Sequence, residues 1–399
     1  MKMKLQNMNI DNKRVLLRVD YNVTIKNNEI IDDSKITRSL KTINYLIDHN
    51  CKIIILSHLG KVKKEEDKLK NSLEIVAKRL KELVNTKVIF SKQTRSEALE
   101  EMIKTIKEKE IVVLENTRFE DVPNNLESNN DKELATYWAG LADVFVMDAF
   151  ASLHRVHAST AGVAELLPSC IGFLVQEELE MIDKYVINAE KPFTIIMGGA
   201  KIDDKLSLLN KLLPKCDHLL LMGGLANTFL KVLGINIGQS ISSNNQEILD
   251  SVKTILFQYK DKILLPFDVI VTNNYDEEYI TRKLINNLDK NDVIKDIGTT
   301  TLEEYKKIID SSKTIFLNGT AGVYEDMKYA NGTKELLDIL VDSTANVIVG
   351  GGDSSSSVNS FKKDNDFVYI STGGGATLKY IEDNHLDALD YIDDEVEVL

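Results

Sequence analysis

Short apolar segments of strand-like composition alternate with segments of helical periodicity along most of the chain. The predicted strands are 15–19, 52–57, 87–90, 111–115, 144–148, 193–197, 218–222, 263–266, 269–271, 314–317, 347–349 and 367–370. The helical pattern at 33–50 repeats apolar side chains three or four residues apart, at Ile36, Leu40, Ile43 and Ile47. This alternation predicts an α/β protein whose parallel sheets are covered by helices on both faces.

Glycine-rich turns follow five of the predicted strands in the second half of the chain. The five segments read FTIIMGGAK, HLLLMGG, TIFLNGTAG, NVIVGGGDS and VYISTGGGA. Glycine lets the backbone approach a ligand closely, and a turn that opens onto a helix presents free N–H groups to negatively charged oxygens. Ligands collect at the carboxyl ends of parallel strands, where these turns lie. Several such turns together indicate a polyphosphate site.

Basic side chains follow the predicted strands of the first half, in the segments LLRVDYN, IIILSHLGK, VVLENTRF and FVMDAFASLHRVH. They include Arg18, His58, Arg118 and Arg155. For one isolated arginine, a solvated surface position is the commoner explanation. Their shared position at strand ends favours a second anion site, because arginine binds both phosphate and carboxylate in bidentate fashion. Together these groups predict a site for a small phosphorylated carboxylate.

The net charge of −13 argues against broad electrostatic binding to nucleic acid or to anionic membranes, so local basic clusters must hold any anionic ligand. The N-terminal segment has no long apolar core of the signal-peptide type, and no stretch approaches the length of a transmembrane helix. We therefore expect a cytoplasmic protein without nucleic-acid or membrane partners. The three cysteines are widely spaced in sequence, which favours buried free thiols.

Each motif taken alone has a simpler structural explanation. MGGAKIDDK combines Gly199 with Lys201 and Lys205, but it also fits a tight turn with exposed lysines. Asp353 in GGGDS suits a Mg²⁺ ion that is bound by one carboxylate and by substrate phosphates, whereas a helix cap at Asp353 or Ser354 is the alternative. No GxxxxGK[ST] occurs and no GxGxxG follows the first strand, which disfavours a P-loop protein and a dinucleotide-dependent oxidoreductase.

The chain resembles the phosphoglycerate kinase family in eight motifs that follow in order: RVDYN, SHLGK, LENTRF, DAFASLHRVHAST, GGAKIDDK, NGTAGVYE, GGGDS and STGGGAT. The resemblance covers essentially the whole chain. It implies reversible, Mg²⁺-dependent phosphoryl transfer between 1,3-bisphosphoglycerate with ADP and 3-phosphoglycerate with ATP, by a glycolytic monomer that closes its domains around the reactants. The implied fold is two Rossmann-like three-layer αβα domains with parallel sheets, joined by an interdomain helix and a hinge.

Four segments follow from this resemblance and from the long helical pattern after Pro168. We expect a phosphoglycerate-binding domain at 1–172 and an interdomain helix at 173–190. A nucleotide-binding domain is expected at 191–378. The C-terminal segment, 379–399, is expected to return toward the first domain.

The resemblance also implies roles for individual residues. The phosphoglycerate-binding positions are Asp20, Tyr21, Asn22, Lys35, His58, Leu59, Gly60, Lys61, Arg118 and Arg155. The nucleotide-binding positions are Gly199, Lys201, Lys205, Gly223, Asn318, Glu325, Gly351, Gly352, Asp353 and Ser354, and Asp353 is also the implied metal ligand. The catalytic positions are Arg18, Lys201, Gly373 and Gly374, which would orient the transferring group or neutralise its charge.

Of the charged positions that depart from the family pattern, three bear on the predicted binding sites. Lys35 and Lys61 stand where arginine is usual, and lysine lacks the planar fork of arginine. Asp203 adds negative charge between the two lysines of GGAKIDDK. Arg38, three residues after Lys35, is a candidate to compensate. A working kinase is favoured because the other cations and Asp353 are present. The alternative is a phosphoglycerate-kinase-like binding or regulatory protein with weak or no catalysis.

Overall fold

Two compact units make up the structure, a computed structural model that describes residues 1–200, 205–273, 275–363 and 366–395. One unit comprises Met1–Glu180 together with His385–Leu399, and the other comprises Met181–Asn384. We call them the first and the second unit. The division falls within a helix that spans Phe173–Ile182, inside the range predicted for an interdomain helix. The functional roles of the four predicted segments stay predictions.

The first unit is built around a six-stranded parallel sheet. Its strands are β1 (Arg14–Val19), β2 (Ile25–Lys26), β3 (Glu29–Ile30), β4 (Lys52–Leu56), β5 (Val88–Phe90), β6 (Ile111–Val113), β7 (Val144–Asp148) and β8 (Ser169–Ile171). Its helices are α1 (Ser34–Asp48), α2 (Glu65–Lys68), α3 (Glu74–Leu83), α4 (Glu97–Thr105), α5 (Lys132–Ala139) and α6 (Phe173–Ile182). The sheet order is β5-β6-β4-β1-β7-β8, and β2 pairs with β3 in a separate antiparallel ribbon.

Burial explains why these apolar segments form the centre of the sheet. All five residues of β7 are buried, as are five of the six residues of β1, as expected for strands that helices cover on both faces. In α1 the buried apolar residues are Ile36, Ile43 and Leu46, whereas Leu40 and Ile47 of the predicted stripe are only half-buried. The three cysteines are buried free thiols, which confirms the prediction.

The second unit contains another six-stranded parallel sheet. The strands of this unit are β9 (Phe193–Met197), β10 (His218–Leu221), β11 (Ile263–Leu264), β12 (Asp268–Asn273), β13 (Asp276–Leu284), β14 (Asp292–Ile297), β15 (Thr314–Asn318), β16 (Asn346–Val349) and β17 (Tyr369–Ile370). Its helices are α7 (Leu206–Leu212), α8 (Gly223–Val232), α9 (Gln246–Tyr259), α10 (Thr299–Ser311), α11 (Asn331–Asp342), α12 (Gly352–Ser360) and α13 (Gly375–Asp383). The parallel sheet has the order β11-β10-β9-β15-β16-β17.

A small antiparallel sheet in the second unit corrects one expectation. The predicted strand at 269–271 does not join the parallel sheet; it is the middle of β12, which pairs with β13 on one side and β14 on the other. Neither β13 nor β14 was predicted. Their sequences, DEEYITRKL and DVIKDI, are rich in charged residues, and β14 alternates buried with half-buried positions. An antiparallel sheet can leave one face open, so its strands need no continuous apolar run.

The strand order reverses direction once in each parallel sheet. In the first unit the chain moves outward from β1 to one side and from β7 to the other, so the reversal lies between these two strands. In the second unit it lies between β9 and β15. Open α/β sheets bind ligands in the crevice outside the carboxyl ends of the strands at such a reversal. Each unit therefore has one position where a ligand site is expected from topology alone.

Candidate active site

The predicted motifs lie where the topology places ligand sites. RVDYN, SHLGK, LENTRF and DAFASLHRVH continue from β1, β4, β6 and β7, and the five glycine-rich turns continue from β9, β10, β15, β16 and β17. These positions are all at carboxyl ends of parallel strands. The prediction that the motifs share this edge of each sheet is confirmed.

Arg18 lies near the end of β1 and is almost completely buried, with 1% of its surface exposed. Its Nε donates to the Ser159 hydroxyl at 3.0 Å, and one terminal nitrogen donates to the carbonyl of Val19. The other terminal nitrogen lies 3.1 Å from Nδ1 of His58. The guanidinium is thus directed at protein groups, and His58 lies closer to solvent than Arg18 does.

Two residues of this cluster were not predicted. Glu127 is fully buried, and its carboxylate accepts hydrogen bonds from the backbone N–H and the hydroxyl of Ser159. Ser159 follows the basic residues of DAFASLHRVHAST, so its motif was identified but its hydroxyl was not. Glu127 precedes α5 in a polar segment, LESNND, with no sequence signal that distinguishes it from a surface carboxylate.

Both histidines of the first-unit site are held neutral at pH 7. Burial and the nearby positive charge of Arg18 lower the pKa of His58 to about 3. Burial and the charges of Arg118 and Arg18 likewise lower the pKa of His157 to about 3. Nδ1 of His157 lies 3.8 Å from the Glu127 carboxylate. These imidazoles can donate or accept hydrogen bonds, but they add no charge to the site.

A chain of hydrogen bonds links the ends of β1 and β4. Lys35 Nζ lies 2.7 Å from Oδ2 of Asp20, whose other oxygen accepts the backbone N–H of Asn22 at 3.0 Å. The side-chain oxygen of Asn22 in turn accepts the N–H of Gly60 at 2.8 Å. Burial by itself would raise the pKa of the Asp20 carboxyl, but Lys35 and His58 lower it below its ordinary value. Lys35 therefore makes one charged hydrogen bond to Asp20, and this interaction does not need the planar guanidinium of arginine.

Replacement of Lys35 by Met is expected to lower the free energy of unfolding by about 2 kcal/mol at pH 7, because the mostly buried Asp20 carboxylate loses a charged hydrogen-bond partner. A carboxyl whose pKa is lowered by folding stabilises the protein above its unfolded pKa and loses that contribution as the pH falls through the folded value. The difference in the free energy of unfolding between the wild type and the Lys35→Met variant should therefore shrink in acid.

Urea unfolding that is monitored by the fluorescence of the single tryptophan, Trp138, checks this expectation, because Trp138 lies in the first unit. Lys78→Met is the control, since the ammonium of Lys78 is mostly exposed and pairs with Glu74 on the surface of α3. A difference that stays constant from pH 7 into acid would contradict the expectation.

The other predicted substrate positions differ in how accessible they are. Tyr21 is fully buried and its hydroxyl lies 2.9 Å from the Ser39 hydroxyl, so its side chain belongs to the core. Leu59 is 3% exposed, and its backbone N–H donates to the side-chain oxygen of Asn116. Arg118 is half-buried and pairs with Asp121 at 3.3 Å. Lys61 and Arg155 are exposed, so their cations can reach a ligand in solution.

Lys205 joins the ends of β9 and β15 in the second unit. Its ammonium donates to the backbone carbonyl of Gly198 and, at 3.2 Å, to that of Asn318. Gly199 and Gly319 both have positive φ, at 96° and 105°, so these turns need glycine. The N–H of Gly199 donates to Thr320 O at 3.1 Å, which holds the two turns together. Lys201 and Asp203 lie outside the described residues.

The turn after β16 opens onto α12 and corrects the predicted cap. Gly351, with φ of 94°, occupies the N-cap, while Gly352 and Asp353 lie in the first turn of the helix. The Ser354 hydroxyl is buried and accepts the N–H of Gly319, so it ties this turn to the one after β15. Neither Asp353 nor Ser354 is therefore the N-cap, and the carboxylate of Asp353 remains exposed.

Asn318 is the buried polar group at the centre of these turns. Only 2% of its surface is exposed, and Nδ2 donates to the carbonyl of Gly350 at 3.0 Å. Among the described residues its Oδ1 has no hydrogen-bond partner, although it is buried. A buried acceptor without a partner is uncommon in proteins and is consistent with a donor supplied by a ligand.

Of the remaining predicted nucleotide and catalytic positions, two lie at helix starts, one in a buried turn and one on the surface. Gly223 begins α8 and has φ of 60°, and Gly374 is the N-cap of α13 with φ of 53°. The N–H of Gly373 donates to the Ser371 hydroxyl at 3.1 Å, so that amide is already used inside the turn. Glu325 is exposed in the loop that follows β15.

Asp353 has the chemistry that a nucleotide-bound Mg²⁺ needs. Within the described part of the chain, no three His, Cys, Asp or Glu residues come together as a protein metal site. Mg²⁺ is usually bound by one or two carboxylates together with substrate phosphates, so a single exposed carboxylate in the first turn of α12 is compatible with that mode.

Basic groups at the strand ends of one parallel α/β unit, and glycine-rich turns at those of the other, define an α/β protein that binds anionic ligands. The chain matches the family model described as phosphoglycerate kinase over residues 5–384. It is 42% identical over 398 residues to the phosphoglycerate kinase of Fusobacterium nucleatum, with 98% of this chain and 99% of the relative covered. It is 40% identical over 403 residues to that of Limosilactobacillus reuteri, with 99% and 100% covered.

A solved structure of phosphoglycerate kinase from Coxiella burnetii matches with a TM-score of 0.84 and 37% identity, and 98% of both chains is covered. The corresponding structure from Pyrococcus horikoshii matches with a TM-score of 0.82 and 31% identity, again over 98% of both chains. The chain belongs to the phosphoglycerate kinase family. It is a glycolytic phosphotransferase with a carboxyl group as acceptor, and the predicted α/β fold class is confirmed.

Proposed function

We propose that the chain catalyses reversible, Mg²⁺-dependent phosphoryl transfer between 1,3-bisphosphoglycerate with ADP and 3-phosphoglycerate with ATP. The observation that carries the proposal is that both strand-order reversals coincide with predicted anion sites, one basic and one glycine-rich. Family membership over the whole length supports the same reaction.

The first unit is proposed to bind phosphoglycerate. Its contact residues would be Asp20, Asn22, Lys35, His58, Gly60, Lys61, Arg118 and Arg155, whereas the buried Tyr21 and Leu59, whose backbone N–H groups donate to Ser57 and Asn116, would support the site from within the protein. Of these, Lys61 and Arg155 are exposed cations, and Arg118 is a half-buried one. They can pair with the phosphate and carboxylate of the substrate. Arg18 is buried, so we propose that it acts through His58 rather than by direct contact.

The second unit is proposed to bind the nucleotide. Its contact residues would be Gly199, Lys201, Lys205, Gly223, Asn318, Glu325, Gly351, Gly352, Asp353 and Ser354. The N-terminus of α12 offers backbone N–H groups and a positive dipole end to phosphate oxygens. Asp353 would hold Mg²⁺, which neutralises negative charge on those oxygens when it is bound.

The proposed mechanism uses these residues to position and neutralise rather than to form covalent intermediates. Phosphoryl transfer needs in-line alignment of the two reactants and donors directed at the transferring oxygens. Lys201 and the backbone N–H of Gly374 are proposed to supply those donors, while Gly373, whose N–H donates to the Ser371 hydroxyl, would shape the turn that presents Gly374. The carboxylate of 3-phosphoglycerate is already ionised at neutral pH, so no residue has to remove a proton from the acceptor.

The test is consumption of MgATP that depends on 3-phosphoglycerate, coupled to NADH oxidation through glyceraldehyde-phosphate dehydrogenase. NADH oxidation that requires the protein, MgATP and 3-phosphoglycerate together supports the proposal. A folded protein that binds nucleotide but gives no turnover would favour a phosphoglycerate-kinase-like binding or regulatory protein, for which Lys35 and Lys61 are the sequence support.

Replacement of Gly352 by Ala is expected to raise the KM for MgATP roughly tenfold or more while the fold stays intact. A Cβ at Gly352 would have no described atom within 4 Å, so it adds no clash inside the protein. It would, however, hold a phosphate away from the first-turn N–H groups, and a misplacement of about 1 Å can cost on the order of 100-fold in rate.

Steady-state kinetics and thermal unfolding check this expectation together. Gly140→Ala is the matched control, because a Cβ there also meets only ordinary contacts, at 3.4 and 3.5 Å, and the residue lies at the end of α5 in the first unit. Equal KM values for the Gly352 variant and the control would contradict the proposed phosphate site.

A monomeric, cytoplasmic enzyme with small-molecule substrates and no nucleic-acid or membrane partner is proposed. Along the described residues, no helix combines the length and the apolarity needed to cross a bilayer. The net charge of −13 supports the absence of nucleic-acid partners. Light scattering coupled to size-exclusion chromatography tests the monomer directly.

A further inference from the structure

Glu127 is connected to the candidate substrate site through buried hydrogen bonds to Ser159. Its Oε2 accepts the backbone N–H of Ser159 at 2.9 Å, and its Oε1 accepts the Ser159 hydroxyl. A serine hydroxyl has one hydrogen, and here that hydrogen is directed at the carboxylate. The oxygen of Ser159 is therefore free to accept from Nε of Arg18, 3.0 Å away.

Arg18 in turn determines the protonation pattern of His58. A guanidinium can only donate hydrogen bonds, and one of its terminal nitrogens lies 3.1 Å from Nδ1 of His58. Nδ1 must then present its lone pair, so the hydrogen of the neutral imidazole resides on Nε2. His58 is only half-buried, whereas Arg18 behind it is 1% exposed.

The charges around His58 favour the neutral ring. Arg18, Arg118 and Lys35 contribute positive charge near the imidazole, and Asp20 contributes the opposing negative charge. Asp20 is itself paired with Lys35 at 2.7 Å, which reduces its effect on the histidine. A second proton on His58 would place another cation beside the buried guanidinium and would displace its hydrogen bond.

We propose that Glu127 and Ser159 are positioning residues that fix Arg18 so that His58 is held as its Nε2–H tautomer and offers an uncharged N–H donor to the substrate. The proposal rests on the proposed function, in which His58 contacts phosphoglycerate. An uncharged donor fits a site that already holds the cations Arg118, Lys35 and Lys61. The N–H orients a phosphate or carboxylate oxygen of the substrate. It adds no ion pair that would have to be broken when the product leaves.

The tautomer is measured in the full-length protein without any substrate. Long-range ¹H–¹⁵N correlation spectra of ¹⁵N-histidine-labelled protein distinguish Nε2–H, Nδ1–H and doubly protonated rings, and His58→Asn identifies the His58 signals. We expect the Nε2–H pattern at pH 7 in the wild type. A doubly protonated ring or the Nδ1–H pattern would overturn the proposal whether or not the protein is an active kinase.

Glu127→Gln separates positioning from simple support of the fold. Glutamine keeps one acceptor but cannot accept from both donors of Ser159, so Arg18 should lose its fixed orientation. We expect an Nδ1–H population at His58 and a roughly fivefold higher KM for 3-phosphoglycerate, the factor that corresponds to one lost hydrogen bond. The KM for MgATP should not change. Ser159→Ala removes the link itself and should give the same pattern, which keeps the test open if the glutamine variant does not fold.

Asp143→Asn is the matched control. Asp143 pairs with Arg14 at 2.6 Å, and Arg14 begins the same strand, β1, in which Arg18 is the next-to-last residue. It should change neither the His58 spectrum nor the KM for 3-phosphoglycerate. Variants of Glu127 and Ser159 that keep the wild-type tautomer, with both KM values unchanged or both raised alike, would overturn the proposal. Absence of turnover in the wild type would reject the proposed function instead, and the spectra would still decide the tautomer.

Discussion

Replacement of Arg18 by Ala is expected to lower the free energy of unfolding by about 3–5 kcal/mol, because it leaves the buried Glu127 carboxyl without the nearby positive charge to which Ser159 links it. Glu127 is fully buried, which raises the pKa of its carboxyl, and the positive charge of Arg18 is the main nearby influence that opposes this rise. Without it, Glu127 must either ionise in an apolar environment or take up a proton. The hydroxyl of Ser159 also loses its donor from Nε.

Arg14→Ala on the same strand is the control for this loss. Arg14 makes a bidentate pair with Asp143, but both side chains are more than a third exposed, at 38% and 40%. An exposed pair contributes only about 0–1 kcal/mol, so this variant should be nearly as stable as the wild type. Urea unfolding followed by Trp138 measures both variants, since the tryptophan is buried in the unit that contains β1.

The activity of the Arg18 variant should also fall, by roughly 100-fold in kcat/KM for 3-phosphoglycerate, since His58 loses the group that orients it. Comparable stability of the Arg18 and Arg14 variants would show that burial of Glu127 does not depend on this arginine. A stable Arg18 variant with normal kinetics would remove Arg18 from the proposed active site.

Replacement of Gly319 by Ala is expected to abolish most activity, with a fall of roughly 100-fold or more in kcat/KM for MgATP. Gly319 has φ of 105°, and a Cβ there would lie 2.3 Å from the carbonyl oxygen of Gly198 and 2.7 Å from the Lys205 ammonium. Neither backbone nor cation can accommodate that atom without movement. The turns after β9 and β15 would separate, and Lys205 would lose its carbonyl partners at both strand ends.

Gly234→Ala measures the conformational cost of placing a side chain at positive φ where no steric clash occurs. Gly234 also has positive φ, 79°, but a Cβ there would meet no described atom within 4 Å. It should lower the free energy of unfolding by about 1 kcal/mol and leave activity unchanged. Steady-state kinetics with MgATP, together with circular dichroism to confirm folding, compare the two variants. Similar kinetics in both variants would show that activity does not depend on the close approach of the turns after β9 and β15.

Sequence patterns predicted the parts of the fold that burial determines locally. Runs such as VFVMD and TIFLN are buried at every position, so composition alone identifies them as central strands. The antiparallel strand DEEYITRKL was missed because it is largely polar and its partner, β12, had been assigned to the parallel sheet. Strand order in the sheets was also not predictable, because it depends on pairing between segments far apart in the chain.

The candidate site was predicted as a set of motifs but not as a network. The strand-end position of each motif follows from topology, and the structure places all of them there. The burial of Arg18 and its link to Glu127 through Ser159 could not be read from the sequence, since the two charged residues are separated by more than a hundred positions. The helix cap at Gly351 was missed because Asp and Ser are the usual N-caps, whereas glycine was needed here for its positive φ.

The first unit is assembled from both ends of the chain. Lys2 and Asp394 form a β-bridge, and Asp393 exchanges hydrogen bonds with Ser169, the first residue of β8. During synthesis, Met181–Asn384 is therefore translated as one uninterrupted stretch before the last residues of the first unit, from His385 onward. Domains generally fold as units during synthesis. The second unit can therefore complete its fold before the first unit, which needs residues from His385 onward that are translated after it.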